Sequence, residues 1–164
     1  MVAGLLLLVA ILVNPRRGIL PQGLRSWRFR LQTTRDDLLA LAWRLEERGT
    51  LPTASILSHD LTDARRVSKL ETRWALRHLL RRGSFEAKGD ALRLTESGRG
   101  VASRLVRSHR LWEAWLTRTV GIAPDHVHEA AKRLEHVTDE AMRTRLVDET
   151  GAPAEDPHGR SIPD

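Results

Sequence analysis

The segment from His126 to His136 reads HVHEAAKRLEH and concentrates side chains that can bind a metal ion. On a helix, His128, Lys132, Glu135 and His136 fall at positions i, i+4, i+7 and i+8, so they share one face. Two imidazoles and a carboxylate on one stripe are typical of a transition-metal site. Lys132 is the exception in this stripe, because a protonated ammonium cannot ligate a metal and repels a divalent cation.

A second imidazole and carboxylate, His109 and Glu113, lie earlier in the chain within LVRSHRLWEAWLTRTVG. Their i, i+4 spacing lets both side chains reach one ion on a helix. Such a pair alone is usually a surface hydrogen bond, but a second His/Glu cluster strengthens the prediction of a metal site. The sequence has no cysteine, which leaves His, Asp and Glu as the ligands. It also has no HExxH motif and no glycine-rich phosphate loop, so we do not expect an enzyme.

The charge of the chain is divided unevenly between its halves. Residues 1–83 contain 15 Lys/Arg and 7 Asp/Glu, whereas residues 84–164 contain 12 and 14. Summed surface charge steers association, so the basic half is the candidate for contact with a polyanion.

Three helices and a hairpin are predicted for residues 33–94. Thr34 and the acidic residues after it predict a helix start, and Gly49 predicts its end. A short helix fits residues 54–61, and Gly83 predicts the end of the third helix. Two strand-like runs surround Lys88-Gly89-Asp90, and Thr95 after them predicts the start of a long helix. This order is that of a winged helix-turn-helix, in which the third helix enters the major groove of DNA. Four residues of its core face recur at near-helical spacing, namely Val67, Leu70, Trp74 and Leu79.

The third helix of this domain is rich in basic residues. Arginine and lysine can neutralise phosphates, and arginine can bind guanine edges. The candidate DNA-binding residues are Arg65, Arg66, Lys69 and Arg73, and the last two continue with Arg77 and Arg81 as an i+4 stripe. A basic solvated face, or a face that meets lipid headgroups, is the alternative interpretation.

The N-terminal segment Met1–Val13 is uninterruptedly apolar but shorter than the roughly 20 residues of a membrane-spanning helix. A cluster of arginines follows, as on the cytoplasmic side of membrane segments. We therefore interpret residues 1–32 as a membrane-helix stub and a basic linker. The stretch LLLLVAILVNPRRGIL resembles the end of the last helix of metal ABC transporter permeases. An interfacial anchor, or a wrongly assigned start codon before a soluble protein, is the alternative.

Three motifs in the second half carry a wider resemblance: LTESGRGVASRLVRSHRLWEAWL, VHEAAKRLEH and DPHGRSIP. Together they resemble the metal-binding and dimerisation domain of the diphtheria toxin repressor and manganese regulator family. The resemblance implies a mainly α fold, with a winged helix-turn-helix in residues 33–94 and an all-α domain in residues 95–164. It also implies a homodimer that binds operator DNA when Mn(II) or Fe(II) is bound, and Zn(II) is a further possible cofactor.

The family resemblance also implies roles for individual residues. His109, Glu113 and His128 match an ancillary metal site. Asp37, Glu135 and His136 match a primary site, in which Lys132 stands where the family has a cysteine or glutamate ligand. One hypothesis is that the Lys132 ammonium lies between Asp37 and Glu135 and replaces the charge of the ion. The other is that Lys132 extends to solvent and that the primary site has lost its function.

Two functions follow from these features. The first is a cytoplasmic metal-dependent transcriptional regulator that binds double-stranded DNA as a dimer. The second is a metal-sensing regulatory tail of a manganese, zinc or iron transporter permease, attached through residues 1–13 to the inner face of the plasma membrane. The arginine stripe favours the first, and residues 1–32 favour the second.

Overall fold

The structure, a computed structural model, describes the backbone of residues 19–65 and 67–164 and the side chains of residues 26–63 and 67–164. The predicted membrane stub in residues 1–13 lies outside the described residues. No helix within the described ranges is long and apolar enough to cross a membrane.

The first half is a winged helix-turn-helix, as predicted. Helix α1 spans Ile19–Glu47, α2 spans Ala54–Arg65 and α3 spans Lys69–Arg81. The antiparallel strands β1 (Phe85–Lys88) and β2 (Ala91–Leu94) follow as the wing, joined by a tight turn at Gly89, whose φ is +62°. Their common core is apolar and includes Leu38, Leu57, Leu76, Leu79 and Phe85.

Helix α1 begins earlier than the sequence predicts. Thr34 was expected to cap its start, but the helix continues back to Ile19. The Thr34 hydroxyl instead donates to the carbonyl of Arg30, one turn earlier, and to a carboxylate oxygen of Glu71 on α3. A threonine inside a helix can satisfy its hydroxyl in this way, so the capping pattern alone did not define the boundary.

Helix α3 presents a different face to the core than predicted. Its buried residues are Thr72, Ala75, Leu76 and Leu79, whereas Leu70 and Trp74 are 77% and 45% exposed. At 100° per residue, Leu70 and Trp74 lie nearly opposite the buried side. The prediction that they face the core is therefore wrong, although Leu79 was placed correctly.

The second half contains three helices. Helix α4 spans Glu96–Trp115 and is extended by a wider helical turn at Leu116–Val120. Helix α5 spans His128–Leu134 and ends in a tight turn at Glu135–Val137, and α6 spans Glu140–Thr150. Thr95 caps α4 as expected, because its hydroxyl accepts a hydrogen bond from the amide of Gly98.

Close packing of α4 joins the two halves. Gly98 needs to be glycine, because a Cβ there would lie 2.0 Å from the carbonyl oxygen of Ser84. Farther along α4, the buried Arg110 guanidinium donates to both carboxylate oxygens of Glu47 on α1 and to the carbonyl of Ser161. These contacts hold α4 against α1, and both candidate metal clusters include residues from one or both of these helices.

Candidate metal centre

The first cluster joins the end of helix α4 to the start of α5. His109 and Glu113 lie one turn apart on α4, and His128 is the first residue of α5. His109 Nε2, His128 Nδ1 and Glu113 Oε1 form a triangle in which every pair is 3.1 Å apart. Ligand atoms about 2.1 Å from one ion are separated by roughly 3.0–3.4 Å, so this triangle has the size of three metal ligands.

The environment of Glu113 also fits a cation. Its side chain is fully buried, and its second oxygen, Oε2, makes no hydrogen bond within the described part of the chain. Burial opposes ionisation, but hydrogen bonds with His109 and His128 hold the pKa of this carboxyl far below its usual range. The His128 side chain is 45% exposed, which gives the cluster a route to solvent. The donor set therefore suits Mn(II), Fe(II) or Zn(II).

The second cluster contains Asp37 from α1 with Glu135 and His136 from the turn after α5. His136 Nε2 lies 3.4 Å from Asp37 Oδ1 and 3.5 Å from Glu135 Oε1, and His136 Nδ1 lies 3.7 Å from Asp36 Oδ2. Burial works against protonation of His136, but Asp36 and Asp37 raise its pKa to about 9. Carboxylates from α1 and from the turn after α5 therefore surround the His136 ring.

The cation that approaches Glu135 is Arg44 rather than Lys132. No ion pair between described residues joins Lys132 to Asp37 or Glu135, whereas Arg44 Nη2 lies 3.7 Å from Glu135 Oε2. This arrangement contradicts the hypothesis that the Lys132 ammonium stands between the two carboxylates. Sequence reasoning missed Arg44, although its i+7 spacing from Asp37 places both on one face of α1 and could have identified it.

His109 connects the two clusters through opposite edges of its ring. Its Nε2 belongs to the first triangle, and its Nδ1 lies 2.6 Å from Glu135 Oε2. Burial lowers the pKa of His109, but the contacts with Glu113 and Glu135 outweigh it and raise that pKa above the usual value. A carboxylate behind a metal-binding histidine commonly fixes its orientation, so Glu135 is placed to position His109.

The predicted DNA-binding residues are only partly described. Lys69 and Arg73 are exposed on α3, together with Arg77 and Arg81, as expected. Arg66 and the side chain of Arg65 lie outside the described residues. Between the basic residues, the exposed Trp74 stacks on His78 with ring centroids 5.6 Å apart and meets Trp27 of α1 at 6.1 Å. The outward face of α3 is therefore basic and aromatic in alternation.

Residues 95–164 match a protein-family model described as iron dependent repressor, metal binding and dimerisation domain. The chain is 34% identical over 139 residues to the iron-dependent repressor IdeR of Mycobacterium tuberculosis. The aligned region covers 81% of this chain and 56% of that protein. It is 27% identical over 166 residues to a probable metal transport system membrane protein of Chlamydia trachomatis. That aligned region covers 98% of this chain and 36% of the membrane protein.

Solved structures agree with this family. A manganese-dependent transcriptional repressor in complex with manganese matches with a TM-score of 0.71 and 32% identity, over 79% of this chain and 58% of that one. The chain therefore spans between about a third and just over half the length of the curated relatives described above.

Proposed function

Since the chain belongs to the iron-dependent repressor family through residues 95–164, we propose that it is a metal-responsive regulator that binds Mn(II) or Fe(II) at His109, Glu113 and His128. The convergence of these three ligand atoms at mutual distances of 3.1 Å is the observation that carries the proposal. A bound divalent ion would supply a positive charge shared by α4 and α5. The ion would take the place of the protons that, without metal, lie between the two imidazole nitrogens and the carboxylate.

The rest of the chain would convert metal binding into DNA binding. Glu113 holds the charge of the site in the core, and Glu135 fixes the His109 ring from behind. Helix α4 packs on α1, which also supports the DNA-facing helix α3. Tightening of α5 against α4 is therefore transmitted to the winged helix through packed helices. We propose that the chain acts in the cytoplasm as a homodimer on double-stranded DNA.

A calorimetric titration of Mn(II) into the purified chain tests the metal site. We expect one ion to bind at this cluster, and His128→Ala to weaken that binding by at least 100-fold because one of three protein ligands is lost. His126→Ala is the matched control, since His126 is exposed two residues away and lies outside the triangle. Equal binding by the wild type and His128→Ala would disprove the site.

Fluorescence anisotropy with labelled duplex DNA, with and without Mn(II), tests the output. The exposed Arg73 is expected to contact phosphate. Arg73→Ala should then lower affinity for all sequences and reduce the slope of log K against log salt by about 1. Arg145→Ala, an exposed arginine on α6, is the control. If Mn(II) binds but DNA affinity does not change with the metal, DNA is not the output.

A second candidate function is a regulatory tail of a metal transporter. Two observations favour it: the similarity to a metal transport membrane protein extends over 98% of this chain, and the outward face of α3 carries Leu70 and Trp74 between its arginines. Such a tail would bind metal at the same cluster without needing DNA. The nucleotides upstream of Met1 would then encode an in-frame permease, and the native product would sediment with membranes.

A further inference from the structure

The second cluster differs from the first because it already contains a guanidinium. Arg44 Nη2 lies 3.7 Å from Glu135 Oε2, and only about a fifth of the Arg44 side chain is exposed. Burial lowers the pKa of Arg44, with Glu135, Glu113 and Asp37 acting in the opposite direction. Arginine nonetheless keeps its charge inside proteins, so a permanent cation stands beside this cluster.

We propose that Arg44 is the resident cation of the Asp37–Glu135–His136 cluster, and that this chain binds one divalent ion rather than two. Glu135 then serves as a positioning residue for His109 instead of as a metal ligand. The inference rests on the proposed function of the first cluster and assigns the opposite role to the second.

The surroundings of one carboxylate oxygen of Glu135, Oε2, support this assignment. Glu135 Oε2 lies 2.6 Å from His109 Nδ1 and 3.7 Å from Arg44 Nη2, so two nitrogen atoms already stand within ion-pair distance of it. The other oxygen, Oε1, is 3.5 Å from His136. A divalent ion at this carboxylate would have to displace His109 or stand beside the guanidinium, and like charges in a buried site repel strongly.

The two clusters also differ in their access and in their balance of charge. The first contains one carboxylate and two imidazoles and opens to solvent at His128, whose side chain is 45% exposed. The second is closed: the side chains of Asp37, Glu135 and His136 are each less than 7% exposed. Because the Arg44 guanidinium lies within ion-pair distance of Glu135, this closed cluster resembles a buried ion-pair network more than a set of metal ligands.

Metal stoichiometry after equilibrium dialysis against Mn(II), measured by elemental analysis, tests the proposal on the full chain. We expect one ion per chain for the wild type and two for Arg44→Gln, which removes the guanidinium charge and releases Glu135. Arg44→Lys keeps a cation and should stay at one. Arg93→Gln, an exposed arginine on the wing, is the matched control and should also stay at one.

Two ions in the wild type, or one ion in Arg44→Gln, would overturn the proposal. If the wild type binds no Mn(II), or if His128→Ala binds Mn(II) as the wild type does, the proposed function of the first cluster is overturned instead.

Glu135→Gln gives a second measurement that does not require Arg44→Gln to fold. A positioning role predicts that the variant still binds one ion, with affinity about 10- to 100-fold weaker because His109 is less firmly oriented. If the wild type bound two ions and this variant bound one, Glu135 would be a ligand and the proposal would be wrong. Circular dichroism confirms that each variant is folded before dialysis.

Discussion

Replacing Glu113 by glutamine separates the metal-linked stability of this chain from its intrinsic stability. Glu113 is fully buried at the centre of the first cluster, and its Oε1 is 3.1 Å from both His109 Nε2 and His128 Nδ1. The substitution preserves the shape of the side chain but removes the negative charge. It therefore changes the electrostatics of the site with little change in packing.

In the absence of metal, we expect two effects of Glu113→Gln to oppose each other. Hydrogen bonds to a charged group contribute about 1.5–3 kcal/mol, and weakening them destabilises the variant. Removing a buried charge also removes its desolvation cost, which is several kcal/mol in a protein interior. The expected change in the free energy of unfolding is therefore small, at about 1–2 kcal/mol in either direction.

In the presence of metal, the wild type and the variant should diverge. A ligand at 100 times its dissociation constant stabilises the native state by about 2.7 kcal/mol. For a chain of this size, 1 kcal/mol shifts Tm by about 2–4 °C, so Mn(II) should raise the wild-type Tm by roughly 5–10 °C. Glu113→Gln lacks the anionic ligand and should shift by less than about 1 °C.

Thermal melts followed by circular dichroism, with Mn(II) or with a chelator, give both quantities. His126→Ala is the control and should shift as the wild type does. If Glu113→Gln retains the full metal-induced rise in Tm, the carboxylate is not a ligand. The assignment of the first cluster would then be refuted even if the chain binds metal elsewhere.

Three further predictions concern the stability of the fold. Gly98→Ala should destabilise the chain by about 3 kcal/mol in urea unfolding, because its Cβ would overlap the Ser84 carbonyl; Gly100→Ala meets only an ordinary contact and should stabilise α4 by up to about 1 kcal/mol. Burial raises the pKa of Glu47, but the hydrogen bonds from Arg110 outweigh it and lower that pKa below 4.5. The stability from this pair is thus complete above the unfolded-state pKa and is lost as pH falls through the lower folded-state value, so Glu47→Gln should unfold with a shallower acid dependence than the wild type. Thr95→Ala should lower the free energy of unfolding by about 1 kcal/mol, because α4 loses its cap. The control Thr144→Ala, on the exposed face of α6, should change it by less than about 0.5 kcal/mol. An equal loss in both variants would contradict the capping role of Thr95.

The features predicted well from the sequence depend on short separations along the chain. The spacing of His109 and Glu113 places them on one helix face, and the cap at Thr95 places the start of that helix. Gly49 and Gly83 end their helices in the left-handed region, as their positions suggested. These features follow from helix geometry and from local backbone sterics, which neighbouring residues determine almost alone.

The features predicted poorly depend on which helix packs against which. Apolar spacing indicated a buried face on α3, but Leu70 and Trp74 are turned outward because Thr72, Ala75 and Leu76 meet the core instead. The sequence of α3 allows two apolar faces, one with Leu70 and Trp74 and one with Ala75 and Leu76, and the second is the one that is buried. Likewise, Thr34 had a capping sequence, yet α1 continues through it and its hydroxyl donates to Glu71 of α3.

The same division applies to the metal clusters. The sequence by itself determined which side chains can ligate an ion and that Lys132 interrupts one stripe, because residue type and helical spacing are local properties. Only the tertiary structure decided that Arg44, from another helix, reaches Glu135 and that His109 touches both clusters. Electrostatic neighbours are set by distance in space, and helix α1 meets the turn after α5 only once the chain has folded.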